Sequence, residues 1–228
     1  MGGAKGCPFV PALVLGVLAA AGPSLAHQPR LVGESPSIEV RSPEVSQAFY
    51  ARLAGEPQTY RIRSEVPFRL YVNLLVPDLP GVETDYEAVV FREGDGGGPL
   101  VRLDGTAAVW RPFFEPFGGD RYRIGPELDR DVPAGTYAVV VRSADNIGKY
   151  VLAVGRTERF PLREMARTLA VLPRLKTYFG RSPWTAFFNL SGAFLLAIVL
   201  VFLAGPAAIL LAVRRRRTRP SSTAVMRS

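Results

Sequence analysis

An uncharged stretch near the C-terminal end of the sequence constrains the fold most. Residues 185–213 contain 29 positions without a charged side chain, and four arginines at 214–217 follow directly. About 20 apolar residues suffice to cross the hydrocarbon core of a bilayer as a helix, and arginine-rich flanks favour the cytoplasmic side. We therefore predict a transmembrane helix over 185–213, a short basic cytoplasmic tail over 214–228, and the preceding region outside the cytoplasm.

The N-terminal residues predict the same orientation. Lys5 precedes an apolar run of about a dozen residues, which ends in Gly-Pro and the small residues Ser24 and Ala26. This order is typical of a secretory signal peptide, so we predict a signal peptide over 1–26; an uncleaved anchor is the alternative, but the run is short for a span. The two ends together predict a type I single-pass protein of the cell membrane.

The charge distribution argues against a nucleic-acid partner. The whole chain has a net charge of +8, but between Arg30 and Arg181 there are 21 basic and 20 acidic residues, a net charge of +1. Proteins that bind nucleic acid usually carry a basic stripe on the folded domain. We therefore predict the membrane and a protein, rather than nucleic acid, as partners.

Residues 27–157 consist of short β-rich runs that end in turn sequences. The turns include Leu-Pro-Gly at 79–81 and Pro-Ala-Gly at 133–135, and apolar and polar residues alternate in several runs. This pattern predicts a mainly β domain, an antiparallel β-sandwich or jelly roll. Its expected strands are 48–53, 59–64, 68–76, 86–92, 107–111, 136–143 and 149–155.

Two of these segments resemble the bacterial pre-peptidase C-terminal (PPC) jelly-roll domains. Residues 131–155 contain a Pro-Ala-Gly-Thr-Tyr turn and then Gly-x-Tyr-x-Leu, and residues 52–77 contain a glycine turn and a tyrosine-centred strand. Gly55 is followed by Glu56 and Pro57, where those domains usually have Gly-Asp. The resemblance implies a jelly roll that serves as a non-catalytic accessory module of exported proteins.

Residues 158–184 have a different character. Leu162, Met165, Leu169 and Leu172 follow helical spacing, and basic residues outnumber acidic ones. We predict a basic amphipathic juxtamembrane helix that lies against the membrane surface or the base of the domain. A solvated connector is the alternative.

Few residues suggest chemistry, and we predict neither an enzyme nor a cofactor or metal. His27 is the only histidine, so a copper site would lack the second imidazole that such sites normally need. A calcium loop at 93–98 with Asp104 lacks the regular aspartate spacing of a dedicated site. Carboxylate pairs that could serve a hydrolase lie in turn-like sequence, where acidic residues are expected anyway: Asp129 with Asp131, and Glu83 with Asp85.

The segment 110–127 is the strongest candidate for a binding site. It interleaves aromatic rings with charged residues, as carbohydrate platforms and protein hot spots do, but the same rings could close the core of the sandwich. We expect Trp110 and Tyr122 to face outward, and Phe113, Phe114 and Phe117 to face mostly inward. The candidate partner-binding residues are Trp110, Arg111, Tyr122 and Arg123.

These observations predict a non-catalytic membrane protein that displays a β-sandwich for another exported or membrane protein. A surface module that binds glycan or calcium is the alternative, and a membrane-tethered hydrolase is a further one.

Overall fold

The structure is a computed structural model that describes residues 27–33, 35–159, 161–190, 192–193 and 196. The predicted signal peptide over 1–26, the tail over 214–228 and nearly all of the predicted transmembrane helix lie outside these residues. No helix among the described residues is long and apolar enough to cross a membrane.

The described part of the chain forms eleven β-strands and a helix, followed by one short 3-10 helix. The strands are β1 (Gln28–Leu31), β2 (Ser37–Val40), β3 (Gln47–Ala54), β4 (Gln58–Ser64), β5 (Phe68–Pro77), β6 (Glu87–Arg92), β7 (Val101–Asp104), β8 (Arg111–Glu115), β9 (Asp120–Val132), β10 (Gly135–Arg142) and β11 (Ile147–Val154). The helix α1 covers Leu162–Tyr178, and the 3-10 helix covers Pro183–Phe187.

The strands form two sheets, which confirms the prediction of a mainly β sandwich. One sheet has the order β1-β3-β11-β5-β9-β8, and the other has the order β2-β4-β10-β6-β7. Strand pairing is antiparallel except at one end of each sheet, where β1 pairs with β3 and β2 with β4 in parallel. The prediction of purely antiparallel pairing is wrong there, because the chain crosses to β2 before it enters β3 and cannot form a hairpin.

The main core lies between the two sheets and follows from strand alternation. Leu70, Val72 and Leu74 of β5 are fully buried in it, while Arg69, which precedes Leu70, is exposed and Leu75, which follows Leu74, packs in a different cluster. Side chains two apart in a strand share a face, so each strand contributes every second residue. The facing sheet contributes Tyr60, Ile62, Ala88, Val90, Tyr137, Val139 and Val141.

A second apolar cluster lies on the outer face of the six-stranded sheet, under α1. Leu172, Leu175 and Phe179 pack there, and α1 continues through Pro173 because this packing compensates for the hydrogen bond that proline removes. The apolar side of α1 therefore contacts the domain, which was one of the two surfaces expected for it. The sheet contributes Ala48, Tyr50, Leu75, Tyr122, Val151 and Ala153.

Candidate functional site

The segment 110–123 contains a β-hairpin, formed by β8 and the first part of β9. Phe113 pairs with Tyr122 and Glu115 with Asp120, and the glycine-containing turn between the strands closes the hairpin. Paired residues lie on the same face of a sheet, so Phe113 and Tyr122 share the face toward α1.

Trp110 lies at the base of this hairpin and is half-buried against the main core. Its indole Nε1 donates to the carbonyl of Gly105 at 2.8 Å, and its ring packs on Gly125, where a Cβ would lie 2.6 Å from Cη2. The expectation that Trp110 faces outward is therefore only partly right, since the ring packs mainly against Gly105 and Gly125.

The orientation of two other rings was predicted wrongly. Tyr122 is buried, and its hydroxyl is 2.8 Å from that of Tyr50 under α1. Phe114 is 50% exposed and lies under the guanidinium of Arg121, 5.5 Å from the ring centroid. Phe113 and Phe117 are half-buried. Tyr122 is buried because α1 packs as a second layer on the face of the hairpin that we expected to meet solvent.

The two candidate arginines lie on opposite faces of the hairpin. Arg111 pairs with Ile124, a residue packed against the cluster under α1, whereas Arg123 pairs with Pro112 on the other face. Arg123 also forms an ion pair with Asp78 at 2.8 Å. Together with the burial of Tyr122, this placement means that the four candidate residues do not form one continuous surface.

A buried ion pair joins the hairpin to α1. Lys176 Nζ lies 2.7 Å from Asp120 Oδ2, and these side chains are 1% and 4% exposed. The amine also donates to the carbonyl of Gly118, and Arg181 lies 3.3 Å from the other Asp120 oxygen. Sequence analysis missed this pair because Lys176 looked like one of many surface cations.

Glu115 lies beside this ion pair and stabilises the hairpin turn. Its two carboxylate oxygens accept the backbone N–H groups of Phe117 at 2.7 Å and Gly118 at 2.6 Å. Burial raises the pKa of Glu115, and the two N–H groups oppose that rise. The carboxylate of Glu115 therefore has hydrogen-bond partners within the protein, as buried polar groups in structural networks do.

Exposed aromatic rings mark the end of the described chain. Trp184 is 74% exposed, Phe187 48% and Phe188 86%, and we call these three residues the aromatic patch. The backbone that carries them is held in place, because Asn189 Nδ2 donates to the carbonyl of Gly118 at 2.7 Å and Ala186 is buried in the cluster under α1. Contiguous exposed rings often mark an interaction surface.

A second surface feature is a cleft of about 660 Å³ between β1, β2 and the first turns of α1, which we call the arginine groove. Arg30 is paired with Glu164 at 2.9 Å. The other charged residues that line the groove are Arg41, Glu39, Arg159, Arg163 and Arg167. Apolar side chains also line it, namely Leu31, Val32, Ile38, Val45 and Phe49.

His27 and the candidate loop ligands are engaged within the protein. The Nδ1 of His27 is 2.5 Å from Ser46 Oγ, and burial lowers the pKa of the imidazole to about 4. Asp104 accepts from the backbone N–H and the hydroxyl of Thr106. Among the described residues no three His, Cys, Asp or Glu side chains converge as metal ligands.

Three of the four candidate carboxylates have partners among the described residues, while Asp85 Oδ1 is buried without one. Asp129 lies 2.7 Å from Arg69 and 2.6 Å from Arg156, and these hydrogen bonds lower the pKa of its carboxyl group. Asp131 is 3.8 Å from the same Arg69, and Asp85 accepts the backbone N–H of Ala144.

The fold and these surfaces together define a β-sandwich domain with a helix packed on one sheet. No protein-family model matches the chain, and no curated protein matches it either. The chain resembles the PPC jelly-roll domains, and the solved structures similar to it include the PPC domain of a collagenase from Bacillus anthracis. That match has 11% identity and a TM-score of 0.31, and it covers 57% of this chain and 95% of that one.

Two further solved structures are similar to part of the chain. One is the surface-associated copper-binding protein CorA of Methylomicrobium album BG8, with 8% identity, a TM-score of 0.28, and coverage of 55% of this chain and 98% of that one. The other is a β-glucosidase from Paenibacillus barengoltzii, with 10% identity, a TM-score of 0.23, and coverage of 59% and 14%. Likenesses of this size carry no argument about function.

Proposed function

We propose that the protein is a non-catalytic, type I single-pass membrane protein whose β-sandwich binds another exported or membrane protein outside the cytoplasm. The observation that carries the membrane placement is the aromatic patch. It lies at the start of the uncharged residues 185–213, with Trp184 directly before them and Phe187 and Phe188 among the first of them.

The chemistry of the patch fits a membrane interface. Tryptophan is enriched where lipid headgroups meet the hydrocarbon core, because its ring is apolar and its N–H is polar. Arg181 precedes the patch, and Asp and Glu are absent from residues 165–228. A cationic flank of this kind favours contact with phosphate groups of lipids.

The connection between the patch and the sandwich also supports a display role. Residues 161–190 are packed on the six-stranded sheet through the cluster under α1 and the Lys176–Asp120 ion pair. A connecting segment that is packed in this way differs from a Gly- or Ser-rich linker, which would behave as a flexible coil.

The absence of catalysis is part of the proposal. Asp129 and Asp131 pair with Arg69, and Asp85 accepts a backbone N–H group, while a carboxylate pair in a glycosidase must face its substrate across a cleft. The lone imidazole is hydrogen-bonded to the hydroxyl of Ser46, but among the described residues no carboxylate is hydrogen-bonded to it to orient it as in the usual triad.

The two tryptophans of the chain allow a direct test of the membrane placement. Trp184 is in the patch, and Trp110 is in the sandwich. We reconstitute the full chain in vesicles that contain lipids spin-labelled either near the headgroup or deep in the acyl chain. In a Trp110→Phe variant we expect headgroup-proximal labels to quench Trp184 more strongly than deep labels.

The matched control is Trp184→Phe, in which the remaining Trp110 should not be quenched by either lipid. The difference in quenching between the wild-type chain and this variant gives the quenching of Trp184 alone, because Trp110 is unchanged in both. Equal accessibility of Trp184 to a water-soluble quencher with and without vesicles, or extraction of the full chain from membranes by alkali, contradicts the proposal.

A further inference from the structure

We propose that the arginine groove binds an acidic, extended polypeptide segment of the partner. This inference deepens the proposed function, since it rests on a protein partner and names the site and the chemistry by which that partner is recognised.

The charge of the groove is the first argument. Five arginines and two glutamates of the described part of the chain line it, and one glutamate, Glu164, already binds Arg30. Among the described residues no ion pair engages Arg41, Arg159, Arg163 or Arg167. Guanidinium groups bind carboxylates through paired N–H donors, so the local excess of positive charge selects an acidic ligand.

The apolar lining of the groove favours a polypeptide over a sugar as its ligand. Leu31 and Ile38 line the groove, and among the lining residues that the structure describes Phe49 is the only aromatic one and is 4% exposed. Carbohydrate sites usually offer an open aromatic face on which a sugar ring can stack. A segment that alternates carboxylate and aliphatic side chains fits both the arginines and the apolar wall.

The backbone of the groove favours recognition through side chains. Both β1 and β2 are edge strands, and an edge can accept an added strand from another chain. In β1, Gln28 N–H bonds to Ser46 and Val32 N–H bonds to Tyr50. The intervening Pro29 lacks an N–H, and proline on an edge limits strand addition. The arginines therefore supply most of the recognition.

The test measures binding of a fluorescein-labelled peptide of alternating glutamate and valine to the full chain in detergent, by fluorescence anisotropy. We expect saturable binding that weakens with added salt. Matched peptides of alternating glutamine and valine, or lysine and valine, should not bind. The double substitution Arg163→Gln, Arg167→Gln should weaken binding about tenfold, because it removes two exposed charge pairs that each contribute modestly to the affinity.

The control variant removes the same charge elsewhere. Arg63→Gln with Arg130→Gln changes two exposed arginines outside the groove and should leave the affinity unchanged. Equal weakening by both double variants, or no saturable binding, overturns the proposal. Displacement of the peptide by inorganic phosphate at the same concentration also overturns it, because the groove would then be a simple anion site. Loss of membrane insertion in the quenching experiment leaves this affinity unaffected, so the two failures can be told apart.

Discussion

Lys176 is the residue on which the contact between α1 and the hairpin most depends. Removal of one partner of a buried ion pair leaves the other charge in a site that excludes water, which costs about 3–5 kcal/mol. We expect Lys176→Met to lower the free energy of unfolding by this amount, because Asp120 would keep only Arg181, a half-exposed partner at 3.3 Å. Urea titration of the full chain in detergent, followed by tryptophan fluorescence, measures the loss.

The control for this substitution is Arg174→Met on the exposed side of the same helix. Exposed substitutions usually change stability by less than about 0.5 kcal/mol. If the two variants unfold at the same urea concentration, the buried pair does not stabilise the fold.

The same residue shows why sequence analysis could not find this network. Lys176 belongs to a segment in which basic residues outnumber acidic ones, and Asp120 lies in a glycine-rich turn 56 positions away. Both residue types are common in exposed positions, and only the fold brings them together. Tyr122 was assigned to solvent for a related reason, since nothing in its own strand indicates that a helix covers it.

At the level of elements, the strands with a clear alternation were predicted and the irregular ones were not. The positions of β3, β4, β5, β6, β10 and β11 agree with predicted strands to within a few residues. The longest strand, β9, was missed because its Gly-Pro and its many charged residues are typical of a turn.

A β-bulge explains that irregularity. Between the pairs Asn73–Glu127 and Leu75–Ile124, two residues of β9, Gly125 and Pro126, lie opposite one residue of β5. Such a bulge exchanges the two faces of a strand. Tyr122 and Ile124 therefore point toward α1, although simple alternation would place them with Leu128 in the main core.

Gly125 is the position at which this bulge tolerates least change. A Cβ there would lie 2.6 Å from Trp110 Cη2 and 2.9 Å from the Leu74 carbonyl oxygen. We expect Gly125→Ala to destabilise the protein by about 1–3 kcal/mol through overpacking, as measured by urea titration. Gly98→Ala is the matched control, since no atom lies within 4 Å of the added Cβ. A Gly125→Ala variant as stable as Gly98→Ala would show that Trp110 can move aside freely.

At the scale of the whole molecule, composition and periodicity predicted a mainly β domain followed by a helical segment. The partner of that helix was left open between a membrane and the domain, because an amphipathic pattern shows that one face is buried but not what covers it. The structure shows that the six-stranded sheet covers it. The exposed side of α1 carries Arg163, Arg167 and Arg174, two of which line the arginine groove.

The orientation of the chain across the membrane can be measured with single cysteines. Cys7 is the only cysteine of the chain, so Cys7→Ser gives a background without thiols. In sealed right-side-out vesicles we expect an impermeant maleimide to label Ser37→Cys, an exposed position on β2. Ser222→Cys, in the tail outside the described residues, should be labelled only after detergent is added, because the arginines at 214–217 favour the cytoplasmic side. Labelling of both positions in intact vesicles would exclude a cytoplasmic tail. Labelling of Ser222→Cys alone would exclude the type I orientation and would place the arginine groove where an exported partner could not reach it.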